Sequence, residues 1–339
     1  MTSPIVTVDR LSIDTRSAQR DIRLIDGVSF DLYRGEMVGL VGESGSGKSL
    51  TGSALAALLP TGVERSGGRV LVNGREVDDS AKTCPDDVAM IFQNPMTSLN
   101  PSLRVGDQIA EAIRLRHRGM SRRESRRRAV DVLDRVEMNR PAERARQYPF
   151  EFSGGMRQRA MIGIAIAREP QVLVADEPTT ALDVTVQKNI LDLIDTLRTE
   201  MGLAVLLISH DLAVVSERSD RMMVMYAGQL VETGSTEPML GAPMHPYLEG
   251  LLRCVPERAA ESGELRPLPG QVLSLADAGP GCRFAARCEL CTPECMAAPV
   301  PLDTMSGGRQ VRCIRPNEPV GAGGPPLVSN SAQPEVGGV

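Results

Sequence analysis

The sequence predicts an α/β fold in which a parallel sheet carries helices on both faces. A short apolar strand, 36–41, runs into a glycine-rich turn and a helical stretch, 48–59. Later in the chain, the apolar strand 172–175 is followed by a helix, 185–201, and by a second strand-like segment, 204–209. Alternation of strands and helices is typical of parallel sheets whose two faces are both covered.

Other segments predict elements outside this sheet. Residues 5–13 and 28–32 alternate apolar and polar side chains, as half-buried strands do. Residues 105–137 have the pattern of helices with an arginine-rich face between them, and 224–231 is typical of a hairpin that turns at 227–228. Further predicted elements are strands at 69–73 and 88–92 and a helix at 156–168.

Composition limits the classes of function. The chain has 339 residues, enough for an enzyme of two or three domains, and no apolar run long enough to cross a bilayer. Its start has no leader-like pattern, so we expect a cytosolic protein. The net charge of −5 argues against nucleic acid as a partner, although eight of the fifteen residues from Arg114 to Arg128 are arginine. That run is typical of a solvated helix face, with anionic lipid contact as the alternative.

A phosphate-binding loop occupies the turn after strand 36–41. Residues 42–49 read GESGSGKS and fit the pattern G-x4-G-K-[ST]. Such a loop directs backbone N–H groups and a helix N-terminus at phosphate oxygens. Lys48 is expected to reach the β- and γ-phosphates, and the Ser49 hydroxyl is expected to hold Mg²⁺. The candidate nucleotide-binding residues are Gly42, Ser44, Gly45, Gly47, Lys48, Ser49, Leu50 and Thr51.

Two carboxylates end the buried strand that begins at Val172. Asp176 and Glu177 follow four apolar residues, where a carboxylate costs free energy unless it is satisfied. At the end of a strand beside the phosphate loop, Asp176 can organise Mg²⁺ and Glu177 can activate the attacking water. A helix N-cap pair is the non-catalytic alternative.

The stretch 152–159, FSGGMRQR, resembles the signature sequence of ABC ATPases. The resemblance extends over about residues 5–313 and implies a RecA-like parallel sheet, an antiparallel β lobe and an inserted helical subdomain. In that family two nucleotide domains pair head to tail, so Ser153, Gly154 and Gly155 would contact ATP bound to the partner. Leucine is commoner than phenylalanine at the first position of the signature.

The same resemblance implies roles for further residues. Gln93 resembles the Q-loop glutamine that contacts metal and water, Asp183 belongs to a D-loop-like ALD sequence, and His210 resembles the switch histidine. The implied catalytic residues are Glu177, His210 and Gln93, and the implied Mg²⁺ ligands are Ser49, Gln93 and Asp176. No aromatic residue for adenine stacking lies between Arg16 and Leu24, so Arg20 or Arg23 is a candidate to replace it.

Three features resemble the dipeptide and oligopeptide importer subfamily. They are the Q-loop run 92–101, the tripeptide His245-Pro246-Tyr247 and a C-terminal cysteine region. The resemblance implies that this region binds an iron–sulfur cluster, of the 4Fe-4S type, through Cys282, Cys288, Cys295 and Cys313. Four thiolates also suit Zn²⁺, and free thiols or disulfides are the third possibility. Cys291 is an alternative ligand.

The sequence and the resemblance together predict an ATPase subunit of an ABC importer for di- or oligopeptides. The expected cofactors are ATP, Mg²⁺ and a 4Fe-4S cluster. The expected partners are a homologous second ATPase subunit, two transmembrane permease subunits and an extracytoplasmic binding protein, at the cytoplasmic face of the cell membrane. Another cargo such as haem or a metal chelate, an exporter, or an ABC ATPase of DNA repair or translation remain alternatives. The predicted divisions are the first part of the ATPase core (1–98), the helical subdomain (99–165), the second part of the core (166–245), the Cys-rich region (246–320) and a disordered tail (321–339).

Overall fold

The structure is a computed structural model, and it describes residues 3–16, 21–81, 83–93, 98–180, 182–255 and 268–317. Its strands are β1 (Val6–Thr15), β2 (Ile22–Leu32), β3 (Met37–Val41), β4 (Val63–Val72), β5 (Arg75–Glu76), β6 (Val88–Ile91), β7 (Val172–Asp176), β8 (Ala204–Ser209), β9 (Arg221–Tyr226), β10 (Gln229–Ser235), β11 (Asp303–Thr304) and β12 (Gln310–Val311). Its α-helices are α1 (Lys48–Leu55), α2 (Val105–Arg116), α3 (Arg122–Arg135), α4 (Pro141–Arg144), α5 (Gly154–Ile166), α6 (Val184–Met201), α7 (Leu212–Arg218), α8 (Thr236–Gly241), α9 (Pro246–Arg253) and α10 (Pro293–Ala297).

The main sheet has the strand order β11-β12-β10-β9-β3-β8-β7-β6. Strands β6, β7, β8, β3 and β9 run parallel, and the sheet continues through antiparallel β10 and β12. Every residue of β3, β7 and β8 is buried, as is usual in parallel strands with both faces covered. The predicted α/β class with a parallel sheet is confirmed.

A second sheet of four antiparallel strands, ordered β2-β1-β4-β5, forms the predicted β lobe. Buried and partly exposed residues alternate along β1, because only one face of this sheet packs against the core. The lobe shares its apolar cluster with α1 and with one face of the main sheet, so it fixes that helix and the loop before it.

Several predicted boundaries differ from those observed. Helix α1 ends at Leu55 rather than at residue 59, because the backbone of Ala57 turns into the left-handed region. The helices predicted within 105–137 are confirmed as α2 and α3, which residues 117–121 separate. The predicted strand 69–73 is the end of the longer β4, and the hairpin turning at Ala227-Gly228 is confirmed as β9 and β10.

The Cys-rich segment is more structured than its composition suggests. Helix α9 begins at Pro246 and buries Tyr247, Leu248 and Leu252, and β12 joins the edge of the main sheet by pairing with β10. Its buried residues Phe284, Cys288 and Leu290 belong to the apolar cluster that covers one face of the main sheet. The predicted tail 321–339 lies outside the described residues. No helix in the described part of the chain has the length and apolarity needed to cross a membrane.

Candidate ATP site

The phosphate loop joins the end of β3 to the start of α1. Gly42 has φ +153°, and a Cβ atom there would lie 2.1 Å from the carbonyl oxygen of Met225. Only glycine fits this approach of the loop to β9. The Lys48 Nζ donates to the carbonyl oxygens of Gly42 at 2.7 Å and Glu43 at 3.0 Å, so it lies inside the loop where phosphates are expected. Burial lowers the pKa of Lys48, against the opposing effect of Glu177, Asp176 and Glu43.

The remaining residues predicted in the loop divide into two groups. Ser44 and Gly45 are exposed at its tip, and the backbone of Gly47 is left-handed with φ +104°. Thr51 is fully buried and donates from Oγ1 to the Gly47 carbonyl at 3.1 Å, whereas Leu50 packs against the apolar cluster of the β lobe. The tip is therefore accessible to a ligand, while Thr51 stabilises the loop from beneath.

Asp176 and Ser49 form the candidate Mg²⁺ site. The Ser49 Oγ donates to the Asp176 Oδ1 at 3.0 Å, across the gap between the start of α1 and the end of β7. Burial raises the pKa of Asp176, and the hydrogen bond from Ser49 partly offsets that effect. One hydroxyl and one carboxylate side by side are oxygen ligands of the kind that Mg²⁺ prefers, and Mg²⁺ bound by both oxygens would take the place of the hydrogen bond that now joins them.

Glu177 is held by three side chains. Its Oε2 accepts hydrogen bonds from Gln93 Nε2 at 2.7 Å and from Thr180 Oγ1 at 2.9 Å, and its Oε1 lies 3.0 Å from His210 Nδ1. Burial raises the pKa of Glu177, but the hydrogen bonds from His210 and Thr180 outweigh it and leave the pKa lowered. The carboxylate is thus ionised and oriented, as a group that accepts a proton from water must be.

The structure brings together Gln93, Glu177 and His210, the three residues that the resemblance implies to be catalytic. The His210 side chain is 60% exposed and the Glu177 side chain 14%, so the histidine extends from the carboxylate toward solvent. His210 also lines a cleft of about 550 Å³ with Gly42 and Glu43 of the phosphate loop. This cleft adjoins one side of the phosphate loop, but Lys48, Ser49, Asp176 and Glu177, which form the candidate nucleotide site, do not line it.

The signature residues lie on another surface. Ser153 accepts from the Met156 N–H at 3.4 Å and begins α5, and Asp183 accepts from the Val186 N–H at 2.9 Å and begins α6. Ser153 and Gly155 line a depression with Val186, separate from the cleft at the phosphate loop. Ser153 and Gly154 of the signature are therefore exposed, and they do not belong to this chain's own phosphate site.

Cys282, Cys288, Cys295 and Cys313 line one small cavity of about 20 Å³. Burial raises the pKa of Cys282 to about 11 and that of Cys288 to about 12, and the nearby cysteines, Cys313 among them, add to both shifts. Such mutual repulsion among thiolates is relieved when they ligate a cation. Cys291 is not among the residues that line this cavity.

Two observations narrow the alternatives for these cysteines. None of the seven cysteines is joined to another by a disulfide. Among the described residues, no group of three or more His, Cys, Asp or Glu side chains is placed to hold a metal ion. The four cysteines thus share a cavity without forming a single-ion site.

The model for ABC transporters matches residues 25–180, and the model for the oligopeptide/dipeptide transporter C-terminal region matches residues 231–295. The chain is 46% identical over 317 residues to a putative peptide import ATP-binding protein of Brucella abortus (strain 2308), covering 92% of this chain and 95% of the relative. It is 42% identical over 322 residues to the dipeptide transport ATP-binding protein DppD of Escherichia coli (strain K12), covering 94% and 98%. The chain belongs to the ABC transporter family.

A solved ABC structure shares the fold. The dimeric post-hydrolysis state of an ATP-binding cassette bound to ADP and Pi is 26% identical, with a TM-score of 0.60 over 68% of this chain and 98% of that one. The coverage shows that the conserved ABC cassette accounts for about two thirds of this chain.

Three residues near the ABC site were not predicted from the sequence. Thr180 contacts Glu177, the Tyr247 hydroxyl accepts from the Glu43 N–H at 2.8 Å, and Arg287 pairs with the Glu43 carboxylate. Tyr247 and Arg287 lie 204 and 244 positions after Glu43, so no local pattern indicates either contact. Of the two arginines proposed to contact adenine, Arg23 forms an ion pair with Asp14 at 2.5 Å. The other, Arg20, lies outside the described residues.

Proposed function

We propose that the chain is the ATP-hydrolysing subunit of an ABC importer that takes up di- or oligopeptides. The hydrolytic part is supported by Glu177, which Gln93, Thr180 and His210 hold beside the Ser49–Asp176 pair. In the proposed roles, Glu177 accepts the proton of the attacking water and His210 contacts the γ-phosphate. The proposed Mg²⁺ ligands are Ser49, Asp176 and Gln93. The peptide part is supported by relatives that are named for peptide import and match nearly the whole chain.

The proposal includes a composite site between two ATPase subunits. Ser153, Gly154 and Asp183 are exposed, and the neighbouring Val184 is 83% exposed, so this surface is suited to cover ATP bound to another chain. The solved relative with ADP and Pi is dimeric. We propose a homologous, non-identical partner, with two permease subunits and an extracytoplasmic binding protein, at the cytoplasmic face of the membrane. In this scheme the Gln93 region and the helical subdomain 99–165 pass the motion to the permease.

Peptide uptake by source cells is the direct test of the cargo. Cells lacking this gene are expected to lose uptake of labelled dipeptides or pentapeptides, and the wild-type chain is expected to restore it. Complementation with Glu177→Gln is expected to fail, because transport needs hydrolysis. Unchanged uptake in the deletion strain would reject peptide as the cargo in favour of haem or a metal chelate. Export of the cargo in vesicle assays would show that the transporter is an exporter rather than an importer.

We propose that Cys282, Cys288, Cys295 and Cys313 bind a 4Fe-4S cluster. Their common cavity and their number support it, because four thiolates are the usual ligands of such clusters.

Metal analysis of the protein purified without oxygen tests this assignment. The wild-type chain is expected to contain about four iron and four acid-labile sulfide per chain. Cys288→Ser is expected to lose most of both, whereas Cys84→Ser is expected to keep them, because Cys84 donates to the Val88 carbonyl and does not line the cavity. Stoichiometric zinc without sulfide in the wild-type chain would reject the cluster.

A further inference from the structure

Glu43 places a carboxylate on the phosphate loop itself. It follows Gly42 directly, its side chain is 27% exposed, and it lines the same cleft as His210. ATP carries several negative charges into this loop, so an unpaired carboxylate there would oppose binding. The loop therefore needs a cation near Glu43 other than Lys48, whose role is to meet the phosphates.

Arg287 supplies that cation from the C-terminal cysteine segment. Its Nη1 donates to Glu43 Oε2 at 2.6 Å and its Nη2 to Glu43 Oε1 at 3.1 Å, a two-point pair that only arginine can make. The Arg287 side chain is only 4% exposed, so water screens the pair little.

The surroundings of Arg287 fix its guanidinium in place. Its Nε donates to the Pro269 carbonyl at 2.8 Å, and its Cζ lies 5.8 Å from the ring centre of Tyr226 and 5.9 Å from that of Phe284. Aromatic faces favour a cation at this distance. The guanidinium thus reaches Glu43 already oriented, at little cost in side-chain entropy.

A short series of contacts connects the cysteine segment to the ATP-binding lysine. Arg287 directly precedes Cys288 and binds the Glu43 carboxylate, while the Glu43 carbonyl accepts from Lys48 Nζ. The Glu43 N–H is held separately by the Tyr247 hydroxyl. The loop backbone therefore keeps one anchor even without Arg287, which separates the effect of charge from that of loop position.

We infer that Arg287 is a positioning residue of the ATP site, which holds and neutralises Glu43 so that the phosphate loop accepts a polyphosphate. This inference rests on the proposed function only in taking ATP as the ligand. The cysteine segment would then contribute to the nucleotide site, because Arg287, which precedes Cys288, neutralises the negative charge of Glu43 on the loop.

Titration of the full chain with a fluorescent ATP analogue and Mg²⁺ tests the inference. Arg287→Met keeps most of the side-chain volume between the aromatic rings but leaves Glu43 unpaired. We expect its Kd for the analogue to rise about tenfold, within the range usual for coupling between contacting sites. Because the cause is charge repulsion, the loss should shrink as salt is raised. A merely structural role would not give this salt dependence.

Two further variants separate charge from folding. Glu43→Gln removes the carboxylate and serves as a second background. Adding Arg287→Met to Glu43→Gln is expected to change the Kd by no more than about threefold, because no carboxylate is left to neutralise. This comparison keeps the test valid if Arg287→Met alone does not fold, and a tenfold loss on adding Arg287→Met to Glu43→Gln would overturn the inference.

Arg283→Ala is the matched control. Arg283 lies in the same cysteine segment, is also buried, and ties it to the core through Asp26 at 2.8 Å, but it does not touch the phosphate loop. Its Kd is expected to stay within about threefold of wild type. An equal loss in Arg283→Ala and Arg287→Met would mean that only the docking of the segment matters. If the wild-type chain itself does not bind the analogue, the proposed function fails instead.

Discussion

Glu177→Gln is expected to reduce ATP turnover by about 100- to 1,000-fold, the usual contribution of a positioned general base. The amide has nearly the same shape and can still contact Gln93, Thr180 and His210, so the site should keep its geometry. It cannot accept the proton of the attacking water. ATP affinity is therefore expected to remain within a few-fold of wild type, as measured by equilibrium titration beside steady-state phosphate release.

Glu169→Gln provides a close control for this prediction. Glu169 also has a left-handed backbone, with φ +52° against +46° for Glu177, and also lies next to a histidine, with its Oε1 3.4 Å from His117 Nε2. It precedes β7, at the end of the strand away from the phosphate loop. Turnover should be unchanged in this variant. Normal turnover in Glu177→Gln would remove Glu177 from the mechanism.

The core of the ATP site can be predicted from the sequence because its residues follow strands of one parallel sheet. Gly42 follows β3, Glu177 follows β7 and His210 follows β8, and these strands are neighbours. Neighbouring parallel strands have their carboxyl ends at the same edge of the sheet. A motif that directly follows such a strand therefore lies at that edge. The order of the strands therefore places Glu177 beside His210, whose role the resemblance to ABC ATPases implies.

The support of the phosphate loop cannot be predicted in the same way. Tyr247 and Arg287 reach Glu43 only because the C-terminal segment folds back along the main sheet, where β12 pairs with β10. Such a contact depends on how two segments that are distant in the sequence pack together. Neither the periodicity of apolar residues nor the spacing within a motif predicts it. Helix α9 was not predicted because it has only eight residues, too few for a helical period to be recognised in the sequence.

Gly42→Ala is expected to weaken ATP binding by more than about 100-fold, equivalent to about 3 kcal/mol. The new Cβ atom would lie 2.1 Å from the Met225 carbonyl oxygen, and this backbone atom belongs to the buried strand β9. Relief requires β3 and β9 to separate where Val41 pairs with Val224, or the loop to leave its position around Lys48. Either movement disperses the N–H groups that would cradle the phosphates.

Gly35→Ala distinguishes this collision from ordinary backbone strain. Gly35 lies before β3 as Gly42 lies after it, and its φ of +73° is also left-handed, but a Cβ there meets no atom within 4 Å. This variant should lose about 1 kcal/mol of folding free energy and bind ATP as wild type does. Titration with a fluorescent ATP analogue, alongside thermal unfolding, compares the two. Equal ATP affinity in both variants would show that the loop tolerates displacement, and the close approach to β9 would then have no part in holding phosphate.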